Sequence, residues 1–137
     1  MRLFTHNMLM CTVAACTQTA QRTTEGPKNF PLRIEPAPGG LAQVESDFSP
    51  EFIARLVPKL DWRALAATAA ALGVATLPPA PPPGFAGDVA FLRSVHALVM
   101  DVHVTDGALV CENCARRYPI VDSIPNMLLR DEEVTVS

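Results

Sequence analysis

Alternation of apolar and polar residues predicts short strands and loops in the first 45 residues. Residues 30–35 alternate between the two classes, as a half-buried strand does, and residues 41–45 are a weaker candidate. We also expect a strand at residues 2–5. Residues 18–29 are polar and contain Gly26 followed by Pro27, which predicts an exposed loop.

The apolar spacing takes the period of a helix between residues 46 and 100. It predicts three helices: one from residue 50, stopped by Pro58, one over residues 62–72 and one from residue 89. Each follows a residue that can cap a helix, namely Ser49, Asp61 and Asp88. Five prolines in residues 78–83 predict a stiff, extended connection between the second and third helices rather than a ligand for an adaptor domain.

Strand patterns return after residue 100. Residues 102–105 and 108–110 flank Asp106 and Gly107, a pair that favours a tight turn, so they predict a β-hairpin. Further strands are expected at residues 118–121 and 124–129. The acidic tail from residue 130, including Glu133, is expected to fray in solvent.

Composition narrows the class of protein. The chain has 137 residues, of which 49% are apolar and 18% charged, so it can form a core and is not of a disordered type. Its net charge of −3 argues against a protein whose main activity is to bind the phosphate backbone of a nucleic acid. No apolar run is long enough to predict a membrane span.

The first 16 residues allow two interpretations. Residues 13–16 are close to a bacterial lipoprotein cleavage box, in which Cys16 would carry lipid. Polar residues 5–7 interrupt the apolar stretch that such a signal needs. We therefore expect residues 1–16 to stay in the fold.

Two close cysteine pairs are the strongest chemical signal. Cys11 and Cys16 have four residues between them, and Cys111 and Cys114 have two. Both spacings let two thiolates meet one zinc ion, and four thiolates would make a closed structural site. Such a site requires the two chain ends to be adjacent, with residues 46–100 as an insertion.

The spacing of the cysteines leaves three roles besides metal binding open. The first is a redox C-x-x-C motif, which usually opens a helix rather than follows a strand. The second is a pair of disulfides in an oxidising compartment, and the third is four small buried apolar residues. The sequence has no recognisable Ser-His-Asp set, phosphate-binding loop or carboxylate pair, so an autonomous enzyme is not indicated.

An ordered set of motifs resembles the tRNA methyltransferase 112 family of methyltransferase activator subunits. The motifs occupy residues 1–9, 48–53, 57–62, 107–114, 118–120 and 124–129. The resemblance implies an α+β fold, with a small zinc-ribbon-like β domain formed by residues 1–45 and 101–137 and a helical domain inserted at 46–100. Cys11, Cys16, Cys111 and Cys114 match the family's zinc ligands. Residues 19–29 and 78–83 are specific to this chain, and no family function is given to them.

The resemblance also implies a function. The chain would be a non-catalytic subunit that stabilises several S-adenosylmethionine-dependent methyltransferases, whose substrates are tRNA, ribosomal RNA and the translation termination factor. S-adenosylmethionine would be bound by the partner, RNA would be reached only through the partner, and the protein would be cytoplasmic and nuclear. The alternative is a free-standing RNA-binding zinc ribbon that uses Arg116 and Arg117.

A surplus of apolar residues near the C-terminus predicts the partner surface. A methyltransferase domain has an exposed sheet edge beside an apolar patch, and a subunit that offers a strand and apolar side chains would cover both. Pro119 and Pro125 lack N–H groups, so this segment suits a sheet edge, although its apolar residues could also fill the chain's own core. The residues predicted to bind the partner are Met8, Leu9, Met10, Tyr118, Ile120, Ile124, Pro125, Asn126, Met127 and Leu128.

Overall fold

A computed structural model describes residues 1–20, 22–23 and 26–134, and it confirms the α+β class. The helices are α1 (Leu3–His6), α2 (Ala14–Thr19), α3 (Pro50–Leu56), α4 (Trp62–Leu72), α5 (Val89–His96) and α6 (Asp131–Val134). The strands are β1 (Arg22–Thr23), β2 (Gly26–Pro27), β3 (Arg33–Pro36), β4 (Leu41–Gln43), β5 (Val102–Val104), β6 (Gly107–Val110), β7 (Arg117–Val121) and β8 (Ile124–Pro125).

The main sheet has four antiparallel strands in the order β3-β6-β7-β8. Strand β4 pairs separately with β5, and β1 with β2. The predicted hairpin over residues 102–110 is therefore wrong, because β5 pairs with β4 while β6 pairs with β3 and β7. Part of the loop predicted at residues 18–29 also has regular structure, because α2 extends to Thr19 and β1 pairs with β2. Positions 21, 24 and 25 of that loop lie outside the described residues.

The N-terminal strand predicted at residues 2–5 is also wrong, because these residues enter a helical turn. Leu3 is fully buried among the helices, and Phe4 packs against the same cluster. Only Arg2 makes a β-bridge, to His103. The amino group of Met1 donates to the carbonyl oxygens of Val104 and Ser123, at 2.8 and 2.6 Å. Met1, Leu3, His6, Cys11 and Cys16 are all buried, so residues 1–16 pack into this fold.

The three helices between residues 46 and 100 are confirmed, together with their caps. The side chains of Ser49, Asp61 and Asp88 each accept a hydrogen bond from the backbone N–H three residues later. Helix α3 ends at Leu56, and a 3₁₀ turn carries the chain through Pro58. Helix α5 continues as a π-helical turn at Ala97–Asp101. The proline-rich connection is held at its start, where the indole N–H of Trp62 donates to the carbonyl of Pro78 at 2.8 Å.

Two clusters of buried side chains form the core. One lies among helices α1 and α3–α5, the other surrounds the cysteines and the main sheet, and Ile34 packs against both. Asn7 holds the end of α1 against the start of α4, because the Asn7 amide donates to the Asp61 carbonyl at 3.0 Å and the Asp61 N–H donates to the Asn7 side-chain oxygen at 2.9 Å. The division into domains at residues 46 and 100 stays a prediction.

The C-terminal tail differs from the expectation of a frayed, solvated end. Residues 131–134 form α6, and the side chain of Glu133 is only 8% exposed. Arg116 pairs with it, which offsets the cost of burying a carboxylate. In the part of the chain that the structure describes, no helix has the length and apolar character to cross a membrane.

Candidate metal centre and partner surface

Four cysteine sulfurs from the two ends of the chain meet at one point. The Sγ atoms of Cys11, Cys16, Cys111 and Cys114 all lie within 4.8 Å of one another. Cys11 follows α1 and Cys16 lies in α2, whereas Cys111 and Cys114 occupy the turn between β6 and β7. The predicted convergence of the two pairs is therefore present.

Local backbone hydrogen bonds shape both halves of this cluster. The N–H of Cys111 donates to the carbonyl of Arg116 at 3.0 Å, and the N–H of Ala115 returns to the carbonyl of Cys111 at 2.8 Å. Ala115 takes a left-handed conformation with φ of 63°, which tightens the turn. At the other half, the buried Asn29 both receives the Cys11 N–H and donates its side-chain amide to the Cys11 carbonyl.

Donors also point directly at the sulfurs. The Tyr118 hydroxyl donates to Cys11 Sγ at 3.0 Å, and the Asn113 side-chain amide donates to Cys16 Sγ at 3.1 Å. Burial raises the pKa of Cys11, but hydrogen bonds led by that from Tyr118 outweigh this effect and hold it below its usual value. Burial raises the pKa values of Cys16 and Cys114, so these thiolates need a nearby cation.

The sulfur positions fit one tetrahedral metal ion. Cys11 and Cys114 sulfurs are 3.7 Å apart, and those of Cys16 and Cys111 are 3.6 Å apart. Four sulfurs at about 2.3 Å from a zinc ion would stand about 3.8 Å from each other, whereas a disulfide needs about 2.0 Å. All four cysteines are free, so the two-disulfide alternative does not apply to this fold. With four sulfur ligands the site would have no open position for a substrate.

Residues predicted to bind a partner fall into two groups. Tyr118 and Ile120 are buried in the chain's own core, on the inner face of β7, so in this structure their side chains are not accessible to a partner. The alternation of β7 explains this, because Arg117, Pro119 and Val121 face outward instead. Leu9 and Met127 are partly buried against the cluster around the cysteines.

The remaining predicted residues leave their side chains at least partly accessible. Leu128 is 81% exposed, Met8 71% and Ile124 69%, and Met10 and Asn126 are exposed as well. A shallow groove is lined by side chains of β7, β8 and the following segment: Pro119, Val121, Ile124, Pro125, Asn126, Met127 and Leu128. Val121, which lies within the predicted partner-binding strand at residues 118–129, is exposed as well.

No sequence pattern indicates the contact between Arg116 and Glu133. The guanidinium donates from Nε and Nη2 to the two carboxylate oxygens, at 2.8 and 3.1 Å. This hydrogen-bonded pairing with Arg116 lowers the pKa of Glu133 to about 2. Seventeen positions separate the two residues, so neither helical nor strand periodicity links them.

The fold and the site together define a small α+β protein with a closed four-cysteine cluster. The family model described as Trm112p-like protein matches residues 2–123. The chain is 39% identical to the multifunctional methyltransferase subunit TRM112 homolog A of Arabidopsis thaliana, covering 98% of this chain and 100% of that protein. It is 40% identical to the TRM112-like protein of Mus musculus, over 97% and 98% of the two chains. This chain belongs to the Trm112p-like family.

A solved structure has a similar fold. A chain of the E. cuniculi Mtq2–Trm112 complex matches 93% of this chain and 95% of its own length, with a TM-score of 0.50 and 17% sequence identity. That complex is responsible for the methylation of the eRF1 translation termination factor. At this identity the likeness supports the fold alone.

Proposed function

We propose that this protein is a non-catalytic subunit that binds, stabilises and activates several S-adenosylmethionine-dependent methyltransferases acting on tRNA, ribosomal RNA and the translation termination factor. The observation that carries the proposal is membership of the Trm112p-like family, whose curated relatives are named multifunctional methyltransferase subunits and match nearly the whole chain. S-adenosylmethionine would be bound by the partner and not by this chain.

The described residues support a non-catalytic role. Ser46, His96 and Asp101 lie together near the helices and have the residue types of a catalytic triad. However, the same ring nitrogen, His96 Nε2, faces both Ser46 Oγ at 3.1 Å and Asp101 Oδ1 at 3.3 Å. A catalytic relay uses the two nitrogens for the two partners, so this group has the geometry of a structural contact.

Zinc is the metal that we propose for the cysteine cluster. Four thiolates at near-tetrahedral spacing suit a structural zinc ion, which would hold the two ends of the chain together. The donors from Tyr118 and Asn113 would then orient the sulfur ligands and reduce the charge on them.

The partner surface is proposed to lie at the open edge of the main sheet. Strand β8 pairs with β7 on one side and is the last strand of the sheet. Exposed Val121, Ile124 and Leu128 extend beside this edge, and Met8 and Met10 offer flexible side chains that adapt to different partners. A methyltransferase that added a strand here would bury these apolar groups and the free backbone groups together.

Co-expression tests the proposed function. The chain, tagged at its C-terminus, is produced together with an Mtq2-type catalytic subunit, and the tagged protein is purified. We expect a one-to-one complex that methylates a termination factor. The chain alone should not methylate the factor, and titration of the chain with S-adenosylmethionine should show no binding. Tight binding of S-adenosylmethionine by the isolated chain, or a catalytic subunit that is equally soluble and active without it, would contradict the proposal.

The competing RNA-binding function finds less support in the contacts of its proposed residues. Arg116 is engaged with Glu133, and Arg117 donates to Glu35 at 2.9 Å. Both guanidinium charges are thus balanced by carboxylates, and a phosphate would have to compete with them. An electrophoretic mobility-shift assay on the isolated chain and on its methyltransferase complex distinguishes the two functions.

We further propose that the protein works in the cytoplasm and the nucleus. This proposal rests on the substrates proposed above, which are made or used in these two compartments. Fluorescence microscopy of the C-terminally tagged chain checks it.

A further inference from the structure

Arg116 and Glu133 form a largely buried pair that contacts the segment proposed to meet the partner. Their side chains are 20% and 8% exposed, and they share two hydrogen bonds in a fork-to-fork arrangement. Glu133 also accepts the backbone N–H of Arg130 at 2.8 Å, which fixes the start of α6. The pair thereby ties the C-terminal helix to the turn that carries Cys114.

Arg116 makes three further contacts, one of which reaches the segment that follows β8. Its Nη1 donates to the carbonyl oxygen of Arg117. Its guanidinium lies over the ring of Tyr118, 4.5 Å from the centroid. Its Nη2 donates to the carbonyl oxygen of Leu128 at 3.2 Å. Arg116 therefore bridges strand β7, helix α6 and the backbone of the segment between them.

That segment, residues 126–130, lacks helix and strand structure. Other hydrogen bonds fix its beginning: Asn126 N–H donates to Pro119 at 2.8 Å, and Leu128 N–H returns to the Asn126 side chain at 3.0 Å. The Leu128 side chain is mostly exposed, so packing does little to hold its position. Met127 and Leu129 pack partly against the cluster around the cysteines. The exposed part of the segment around Leu128 therefore depends most on the polar contacts at the two ends.

We propose that the Arg116–Glu133 pair presets segment 126–130 in its partner-binding conformation, so that Arg116 and Glu133 are positioning residues for methyltransferase capture without touching the partner themselves. The proposal rests on the proposed function. A segment that is already ordered loses less conformational entropy on binding, so it binds more tightly than a free one. Without the pair, the Leu128 carbonyl and the start of α6 lose their anchor, and the segment must be ordered by the partner.

Two variants and two matched controls test the pair. Glu133→Gln removes the carboxylate, and Arg116→Lys keeps the positive charge but cannot make the forked contact together with that to Leu128. Glu132→Gln changes a neighbouring acid that is 69% exposed, and Arg117→Lys changes the adjacent, outward-facing arginine. Affinity for an Mtq2-type catalytic subunit, amide hydrogen exchange of the free chain, zinc content and melting temperature are measured for each.

We expect Glu133→Gln and Arg116→Lys to weaken capture by about tenfold or more and to speed amide exchange in residues 126–130, with zinc content unchanged. The controls should stay within about twofold of the parent, as expected for exposed ion pairs. Parent-like affinity in both variants would overturn the proposal. So would a loss of zinc or of the overall fold in both, because the pair would then support the core as a whole. If the parent itself captures no methyltransferase, the proposed function fails instead.

Discussion

Ser46 donates two hydrogen bonds to one carboxylate oxygen of Asp101, from its backbone N–H at 3.1 Å and from its hydroxyl at 2.7 Å. These two residues stand where the chain enters and leaves the helical region, and the Val44 N–H also donates to the Asp101 carbonyl at 2.9 Å. The contact thus holds the segment around Ser46 beside the segment around Asp101, and the His96 ring lies against the Asp101 carboxylate. It gives the helices between residues 50 and 101 a fixed attachment that no local sequence pattern indicates.

Asp101→Ala is therefore expected to destabilise the protein. The change removes the carboxylate that accepts from the Ser46 N–H and the Ser46 hydroxyl in a partly buried place, which costs about 3 kcal/mol of unfolding free energy. Urea unfolding followed by circular dichroism measures the loss. Asp47→Ala, at the exposed neighbour of Ser46, is the control and should change stability by less than about 0.5 kcal/mol. Equal effects of the two substitutions would show that the Asp101 contact has no special weight.

Features within a few residues of each other were predictable, and contacts between distant segments were not. The caps at Ser49, Asp61 and Asp88 depend on hydrogen bonds over three positions, so their residue types sufficed. The turn at Asp106 and Gly107 has the residues of a hairpin, yet the strands on its two sides pair elsewhere. Longer-range pairing there outweighs the local preference for a tight turn.

The candidate site divides in the same way. The cysteine spacing predicted the cluster because ligand chemistry restricts both residue type and distance. The apolar surplus near the C-terminus predicts Tyr118 on the outer surface, whereas alternation along β7 places it and Ile120 inside. The acidic run predicts a solvated Glu133, because its counterion, Arg116, lies in a different part of the chain. Such partners become visible only when the fold brings them together.

Zinc removal should separate the metal site from the rest of the fold. Protein purified under reducing conditions is expected to contain about one zinc ion per chain by elemental analysis. A structural zinc site contributes on the order of 10 kcal/mol, so chelation should lower the melting temperature sharply. The Cys16→Ser variant, which lacks one buried ligand, should bind less zinc and have a lower melting temperature than the parent. A metal-free preparation that melts at the same temperature with and without added zinc would rule out a structural metal.

Lowering the pH should remove the contribution of Glu133 to the stability of the fold over a defined range of pH. Its hydrogen-bonded pairing with Arg116 lowers the pKa from an ordinary value of 4.5 to about 2 in the folded chain. The carboxylate therefore stabilises the fold fully above pH 4.5, and this contribution disappears as the pH falls toward 2. The difference in melting temperature between the parent and Glu133→Gln should be constant near neutral pH and shrink over that interval. Both proteins carry the same cysteines, so acid release of metal affects both; a difference independent of pH would exclude the pairing.

Two adjacent glycines allow backbone strain to be compared with a steric clash. Gly39 has a φ of +72° with open space around its Cα, so Gly39→Ala should cost about 1 kcal/mol from the left-handed backbone alone. A Cβ on Gly40 would instead meet the carbonyl oxygens of Asp106 and Ala37, the latter at 2.8 Å. Because those backbone atoms cannot move aside cheaply, Gly40→Ala should cost about 3 kcal/mol. Thermal or urea unfolding of both variants ranks them, and the reverse order would be inconsistent with this packing.

Leu128→Glu is the most direct test of the proposed partner surface. The Leu128 side chain is 81% exposed in the free chain, so a carboxylate at this position remains in water and should leave the melting temperature within a degree or two of the parent value. In a complex that covers segment 124–129, the same carboxylate would be buried without a counterion, and affinity for an Mtq2-type catalytic subunit should fall at least about tenfold. Val44→Glu, at a residue that is 56% exposed beside the separate β4–β5 pair, is the matched control and should bind as the parent does. If Leu128→Glu folds normally and captures the methyltransferase with parental affinity, the interface lies on another face of the protein.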